Sequence, residues 1–219
     1  MGNEMQRELR AMEENLDRLS DMADAAIKKS LVCFFKGDPE GAKEVIAGDI
    51  EINNLRFEIN KNCVRLTATQ QPVARDVREI FAVHDITTEL ERMGDYAEGI
   101  ARVVLQLQEF DYSRYSELLS VLKEMEIKAL DMLEKSMEAF FARDAEQSRA
   151  VCHSDDEVDT LYRKAIEIIH SVNESADVAM RLSWVAHNIE RIADRATNIA
   201  EQTYFLVTGK MEEIGSSKY

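Results

Sequence analysis

The sequence predicts an all-α protein: two tandem three-helix bundles related by an internal pseudo-twofold repeat. Three observations carry that expectation. Glycine occurs 8 times and proline twice in 219 residues, far below the usual ~7% and ~5%. Sheet-rich folds need turn residues more often than this. Apolar residues step by 3 and 4 along stretches near thirty residues, the helical period. Finally, Glu91-Arg92-Met93-Gly94-Asp95-Tyr96-Ala97-Glu98-Gly99-Ile100-Ala101 returns as Glu190-Arg191-Ile192-Ala193-Asp194-Arg195-Ala196-Thr197-Asn198-Ile199-Ala200, identical at six of eleven positions and offset by 99.

The elements follow in order. Leu9, Met12, Leu16, Leu19, Ala23, Ala26 and Ser30 form a heptad seam, so the first helix runs from about Glu4 to Lys36. Gly37-Asp38-Pro39 stops it, with Asp38 as N-cap and Pro39 at the first position of the second helix. That helix carries Val45, Ile52, Leu55, Ile59 and Leu66 and ends at Gln70-Gln71-Pro72. The third starts near Arg75 on the seam Ile86, Leu90, Met93, Ala97, Ile100, Val104 and Leu107. Asp111 to Arg114 reads as a linker. The fourth helix carries Leu118, Leu122, Met125, Ala129 and Met132. The fifth begins after Asp144, with Gln147 placed for a capping box. Its Val151, Val158, Leu161 and Ala165 match the second helix at an offset of 106. The turn Asn173-Glu174-Ser175 leads to the sixth helix, whose seam Val185, Ile189, Ile192, Ala196, Ile199, Thr203 and Leu206 matches the third. The expected units are therefore 1–110 and 115–209, with a frayed tail at 210–219.

Composition excludes several function classes. The net charge of −15 is the wrong sign for nucleic acid or an anionic membrane surface, which draw on a Lys/Arg surplus. It suits cations or a basic protein partner. Cys33, Cys63 and Cys152 are odd in number, far apart and lack a Cys-x-x-Cys, so they read as reduced small apolar residues. The first eight residues are too charged for a secretory h-region, and no apolar run approaches the ~18 residues that span a bilayer. A cytoplasmic protein is expected, meeting the membrane only through partners.

The chemistry-bearing pattern is carboxylic. With Leu90 and Ala97 at a and Met93 and Ile100 at d, Glu91 and Glu98 fall at b and Asp95 at f, off the seam. Glu190 and Asp194 repeat this, and His84 and His187 join the same faces. Asp49 and Asn53 lie one turn apart on the second helix, and Asp155 and Asp159 occupy the equivalent positions on the fifth. Side by side, the helices would gather Asp49, Asn53, Glu91 and Asp95 in one cluster and Asp155, Asp159, Glu190 and Asp194 in the other. Four oxygen-bearing side chains suit a hard cation such as Mg²⁺, Mn²⁺, Ca²⁺ or iron, and a nearby histidine tilts the choice toward a transition metal.

The plainer alternative is a solvated face. With 42 acids in 219 residues, roughly eight i,i+4 acid pairs arise by chance, so one pair carries no weight. Repetition of the same acids at the same offsets does, because like charges at that spacing cost roughly 0.2–0.5 kcal/mol. Arg92, Arg191 and Arg195 would offset that cost without a metal. Other constellations are weaker. Glu167-x-x-His170 has no second copy, since its equivalent position is Val64, and di-iron chemistry wants two. Trp184 reads as packing beside the seam, and the ten methionines as adaptable core.

Gln71-Pro72 with Asp76-Val77-Arg78, then Glu89 to Asp95, then Ile189 to Arg195, with Gly48-Asp49 and the Asp155…Asp159 step, together resemble the PhoU family of phosphate-uptake regulators from about Leu9 to Gly209. The resemblance implies two PhoU-like three-helix bundles, often dimeric, with Glu/Asp-x-x-x-Asp motifs that hold multinuclear clusters of metal (Fe, Mn, Mg or Zn) on the bundle surface. Transferred by position, the metal residues are Glu91, Asp95, Glu190 and Asp194, with Asp49, Asp155 and Asp159 as contributors. The implied partners are the ATPase subunit of a phosphate-specific ABC transporter, a sensor histidine kinase and a second copy of the chain. Asn53 opposite Asp159, and Thr197 opposite Glu98, depart from symmetry, so the two clusters are expected to differ in metal count or affinity. Three functions compete: a non-enzymatic regulator tuned by metal, a di-metal carboxylate enzyme or metal store, and a plain helical adaptor. Placement off the seam favours a surface site, and hence the regulator over the enzyme.

Overall fold

In the computed structural model, which describes residues 2–107, 110–172, 175–212 and 214, the predicted order of helices is realised. The helices are α1 (Gly2–Lys36), α2 (Pro39–Thr69), α3 (Ala74–Gln106), α4 (Ser116–Ala142), α5 (Ala145–Ser171) and α6 (Ala176–Thr208). Among the described residues there is no strand. The linker region is not wholly irregular: Tyr112–Tyr115 forms a 3-10 turn, nucleated where Asp111 accepts a hydrogen bond from the Ser113 N–H at 3.1 Å. Tyr115 seals it into the core against Phe110.

Local chemistry sets the boundaries. Asp38 accepts hydrogen bonds from the Glu40 and Gly41 N–H groups, and Asp144 from those of Glu146 and Gln147, so the same cap is used twice. The capping box expected at Gln147 is not closed, because its side chain donates to the Lys135 carbonyl and to Glu138 instead. The residues before these caps are equivalent by the repeat and both left-handed: Gly37 at φ +62° and Arg143 at φ +56°. Glycine adopts this freely, whereas arginine bears a cost of about 1 kcal/mol or more. Arg143 offsets it by donating to the Phe140 carbonyl and pairing with Glu13 on α1 and Glu79 on α3. The turn expected at Asn173-Glu174 lies outside the described residues; Ser175 beyond it caps α6 through the Val178 N–H. Most of the tail expected to fray is likewise not described, but buried Ile214 donates its N–H to Glu201 at 2.9 Å.

α1, α2 and α3 pack on one another, as do α4, α5 and α6. α3 and α6 also pack against each other and join the bundles through one core. Small residues permit this approach: Ala97, Ala101, Ala193, Ala196 and Ala200 are buried, and a Cβ on Gly99 would stand 3.2 Å from the Asn188 amide. The predicted seams hold, with Leu16, Leu19, Leu90, Met93, Ile189 and Ile192 fully buried, each such side chain stabilising by roughly 1.5–3 kcal/mol. Along α1 the seam drifts, so Ile27, Leu31 and Phe34 carry the core where Ala26 was expected. The three cysteines are buried and unpaired with one another.

Candidate functional site

Each half-molecule has an acidic cleft where its second helix lies along its third. In the first cleft α2 supplies Asp49 and Asn53, and α3 supplies Glu91, Asp95 and Glu98. The helices approach closely here because Gly94 lacks a side chain: a Cβ would sit 3.0 Å from Ile52 and 3.4 Å from Asp49 Oδ1. The Asn53 amide donates to Asp49 Oδ2 at 2.7 Å. The other Asp49 oxygen, Oδ1, is buried with no hydrogen-bond partner. Burial, then the charges of Asp95 and Glu98, push the Asp49 carboxyl above the ordinary range. Asp95 is raised likewise, by burial and by Glu91 and Glu98.

The second cleft is built from Asp155 and Asp159 on α5 and Glu190 and Asp194 on α6. Asp155 is pushed up to about 7 by burial, then by Asp194, Asp159 and Asp156. Glu190 is pushed up to about 7 by burial and then by Asp194. Buried Glu190 Oε2 lies 3.3 Å from His187 Nδ1 without a well-formed hydrogen bond. Burial and the neighbouring Arg191 lower the His187 pKa, favouring the neutral ring.

The acids lie off the seam as expected, yet they are not a bare surface, since α2 and α5 cover them: Glu91 is 15% exposed and Glu190 19%. All four acids expected in the second cleft influence one another there, and His187 joins them. Asp49, Glu91, Asp95 and Glu98 do so in the first. His84 stands elsewhere, paired with Asp85 at 3.1 Å and lining an apolar groove with Cys63 and Phe81. Glu167 and His170 are exposed on α5. Trp184, expected to pack, is 52% exposed beside His187, because the seam passes through its neighbour Val185.

Sequence reasoning named Arg92, Arg191 and Arg195 as possible partners of the acids but missed Arg56 and Arg102 in the first cleft. Arg56 Nε lies 3.1 Å from Glu91, and Arg102 holds Glu98 at 2.6 Å. In the second cleft Arg191 holds Asp194 at 2.6 Å, with Arg195 at 3.8 Å. Arg195 also donates to Glu89 on α3 at 3.0 Å, as does Asn198, and Glu89 lies 3.6 Å from Arg92. The offset of 106 would have exposed one difference: Tyr162 stands where the first cleft has Arg56. Glu190 thus faces a phenol, not a guanidinium, and burial and then the Glu190 charge raise the Tyr162 pKa.

The all-oxygen donor sets, the unpartnered Asp49 oxygen and the two carboxyls near 7 fit a hard cation. The oxygens are not yet gathered: among the described residues no three His, Cys, Asp or Glu side chains converge closely enough to hold an ion. Arginines turn several of them aside, so an ion would have to displace Arg56 from Glu91 or Arg191 from Asp194. With Glu126 tucked beside Lys123 on α4, the remaining buried acid is already provided for.

The class that the fold defines is a duplicated six-helix protein, two three-helix bundles sharing one core, with an acidic cleft on each half. Comparison with known proteins gives the family. The PhoU domain matches residues 4–104 and 122–203. The chain belongs to the PhoU family. It is 32% identical over 212 residues to the phosphate-specific transport system accessory protein PhoU homolog of Clostridium acetobutylicum, covering 94% of this chain and 95% of that protein. It is 28% identical over 207 residues to the corresponding PhoU of Escherichia coli, covering 93% and 85%. The crystal structure of the phosphate transport system regulatory protein PhoU from Streptococcus pneumoniae superposes with a TM-score of 0.88 at 28% identity, covering 96% of this chain and all of that one. PhoU from Pseudomonas aeruginosa gives 0.87 at 27%, covering 94% and 99%.

Proposed function

We propose that this chain is an accessory regulator of phosphate uptake, acting by protein–protein contact and not by catalysis. The observation that carries the reading is whole-length agreement with phosphate-transport accessory proteins in sequence and in fold, across both halves. In detail, the chain restrains a phosphate-specific ABC transporter through its ATPase subunit and reports the transporter's state to a sensor histidine kinase. Its place is the cytoplasm, as a homodimer. No described helix is long and apolar enough to cross a membrane. A divalent or iron-type cation in the acidic clefts tunes these contacts: Asp155, Asp159, Glu190 and Asp194 would hold it in one half, and Asp49, Glu91 and Asp95 in the other. The cation supplies positive charge that relieves carboxylate repulsion and frees arginines for other contacts.

Deletion of the gene tests the role. Phosphate-starvation genes are expected to stay expressed in phosphate-rich medium, and full repression in a strain lacking any paralogue would overturn it. Capture of the transporter ATPase and the kinase by purified protein, with and without chelator, tests partners and metal dependence separately.

A further inference from the structure

The duplication sets the two acidic clefts side by side for comparison, and they differ in one type of ligand atom. On α6, His187 and Glu190 lie one turn apart on the same face, with His187 Nδ1 3.3 Å from Glu190 Oε2. That oxygen is buried and has no hydrogen-bond partner. The Asp194 charge acts on the His187 ring, and those of Asp155 and Asp159 act on Glu190. The imidazole therefore belongs to the same cleft as the four carboxylates. With 41% of its side chain exposed, it is also open to an incoming ion.

The first cleft has no such nitrogen. At the offset of 99, Thr88 stands where the second half has His187. Its hydroxyl donates to the His84 carbonyl at 3.2 Å, within its own helix. His84 pairs with Asp85, and His153 and His170 are exposed on α5. Among the described residues none of these three is paired with a cleft acid. The fixed cations differ in parallel. Arg56 Nε stands 3.1 Å from Glu91, whereas Tyr162 takes its place opposite Glu190. Glu190 can thus bind an ion beside His187 without first shedding a guanidinium of α5, although Asp194 has still to leave Arg191.

Ligand chemistry separates the two. Carboxylate, amide and hydroxyl oxygens suit hard ions such as Mg²⁺ and Ca²⁺. An imidazole nitrogen adds affinity for Zn²⁺, Ni²⁺, Co²⁺ and Fe²⁺ that Ca²⁺ does not share. We propose that His187 makes the second cleft selective for a borderline divalent ion of the Zn²⁺ type, bound through its Nδ1 together with Glu190 and Asp194, while the all-oxygen first cleft takes a hard ion. The inference rests on the reading that a cation occupies the clefts, and adds that the two halves respond to different metals.

Zn²⁺ and Ca²⁺, each alone, are the probes. Isothermal titration calorimetry at neutral pH compares the parent with His187→Thr, which installs the first half's residue, and with Thr88→Ala. The tightest Zn²⁺ affinity is expected to fall by at least about tenfold in His187→Thr, since loss of even an outer-sphere partner costs ~10–100-fold. Ca²⁺ affinity is expected to stay within about twofold, and Thr88→Ala to change neither. Long-range ¹H–¹⁵N NMR of the histidine rings supplies a readout that a merely structural role would not move. One equivalent of Zn²⁺ should shift the His187 Nδ1 resonance and fix the ring as the Nε2–H tautomer, and Ca²⁺ should do neither. Far-UV circular dichroism checks the fold of each variant. Zn²⁺ binding that is indifferent to His187→Thr, or that leaves the His187 ring unshifted, overturns this proposal and leaves the cation reading standing. Equal loss of Zn²⁺ and Ca²⁺ in His187→Thr also overturns it, because the ring would then shape the cleft and not select its ion. Failure of the parent to bind either ion overturns both.

Discussion

Replacing Asp155 with Asn should stabilise the protein most above neutral pH, with the gain shrinking toward about pH 4. In the folded protein the Asp155 carboxyl is pushed up to about 7 from an ordinary 3.8, and Glu190 to about 7 from 4.5. Both are raised, so between roughly pH 4 and 7 the native state holds protons that the unfolded chain has released. Stability is therefore greatest at the acidic end of that window, falls as pH rises through it, and levels off above about 7. One pKa unit corresponds to about 1.4 kcal/mol. The two acids repel each other and titrate as a coupled set, so their shifts do not add, and partial exposure screens them further. A net cost of about 1–2 kcal/mol at pH 8 remains. Asn keeps the shape and removes the charge, so at pH 8 with EDTA its melting temperature should rise by about 3–6 °C. Excess Mn²⁺ should raise the parent's melting temperature at pH 8 and raise the variant's less, because a ligand bound only to the folded state stabilises by mass action. Circular-dichroism melts from pH 5 to 8, with EDTA or Mn²⁺, make the measurement. A parent protein whose stability in EDTA is flat or rises over that range would refute the electrostatic reasoning, and a variant equally responsive to Mn²⁺ would refute the cation reading.

Three further outcomes follow from the same geometry. Glu91→Ala/Asp95→Ala should destabilise the metal-free protein by about 1 kcal/mol, because it strips Arg56 of its partner; relief of like charges alone would give no loss or a slight gain, and a melt in EDTA separates the two. Arg56→Tyr, which imports the second half's residue, should tighten Mn²⁺ binding in the first cleft as read by calorimetry, and unchanged affinity would show that the guanidinium is no competitor there. Arg143→Gly should lower stability by about 1 kcal/mol even though glycine suits φ +56°, because Glu13 and Glu79 lose their cation; a more stable variant would mean that backbone strain outweighs the ion pairs.

What the sequence revealed and what it concealed divide along a physical line. Helix order, caps and core depend on local chemistry and period, so Asp38, Asp144 and the steps of 3 and 4 were enough to place six helices within two or three residues. The acids of each cleft were legible because a duplication marks positions twice, and a heptad assigns both copies to one face. Arg191, three residues before Asp194, was legible too, but the pairings between helices were not. Arg56 and Glu91 are 35 positions apart and meet only once α2 is laid beside α3. Arg195 and Glu89 meet only once α6 crosses α3. Seams fix which face of a helix turns inward, but not its axial register against a neighbour, and ion pairs depend on that register.

The same comparison explains why the two halves are not interchangeable. Each has an α2-type helix carrying Asp one turn before Asn or Asp, and an α3-type helix carrying Glu one turn before Asp. In the first half Asn53 replaces a carboxylate and Arg56 adds a cation, so a fixed positive charge already occupies part of the cleft. In the second half Asp159 restores the charge and Tyr162 removes the cation, and the strain appears as two carboxyls near 7. The halves remain joined through polar contacts: Asp194 lies against Arg195, Arg195 donates to Glu89, and Glu89 lies beside Arg92. Arg92 in turn lowers the pKa of Asp95 in the opposite cleft. A row of charged side chains therefore runs from one cleft to the other across the packed α3 and α6 helices.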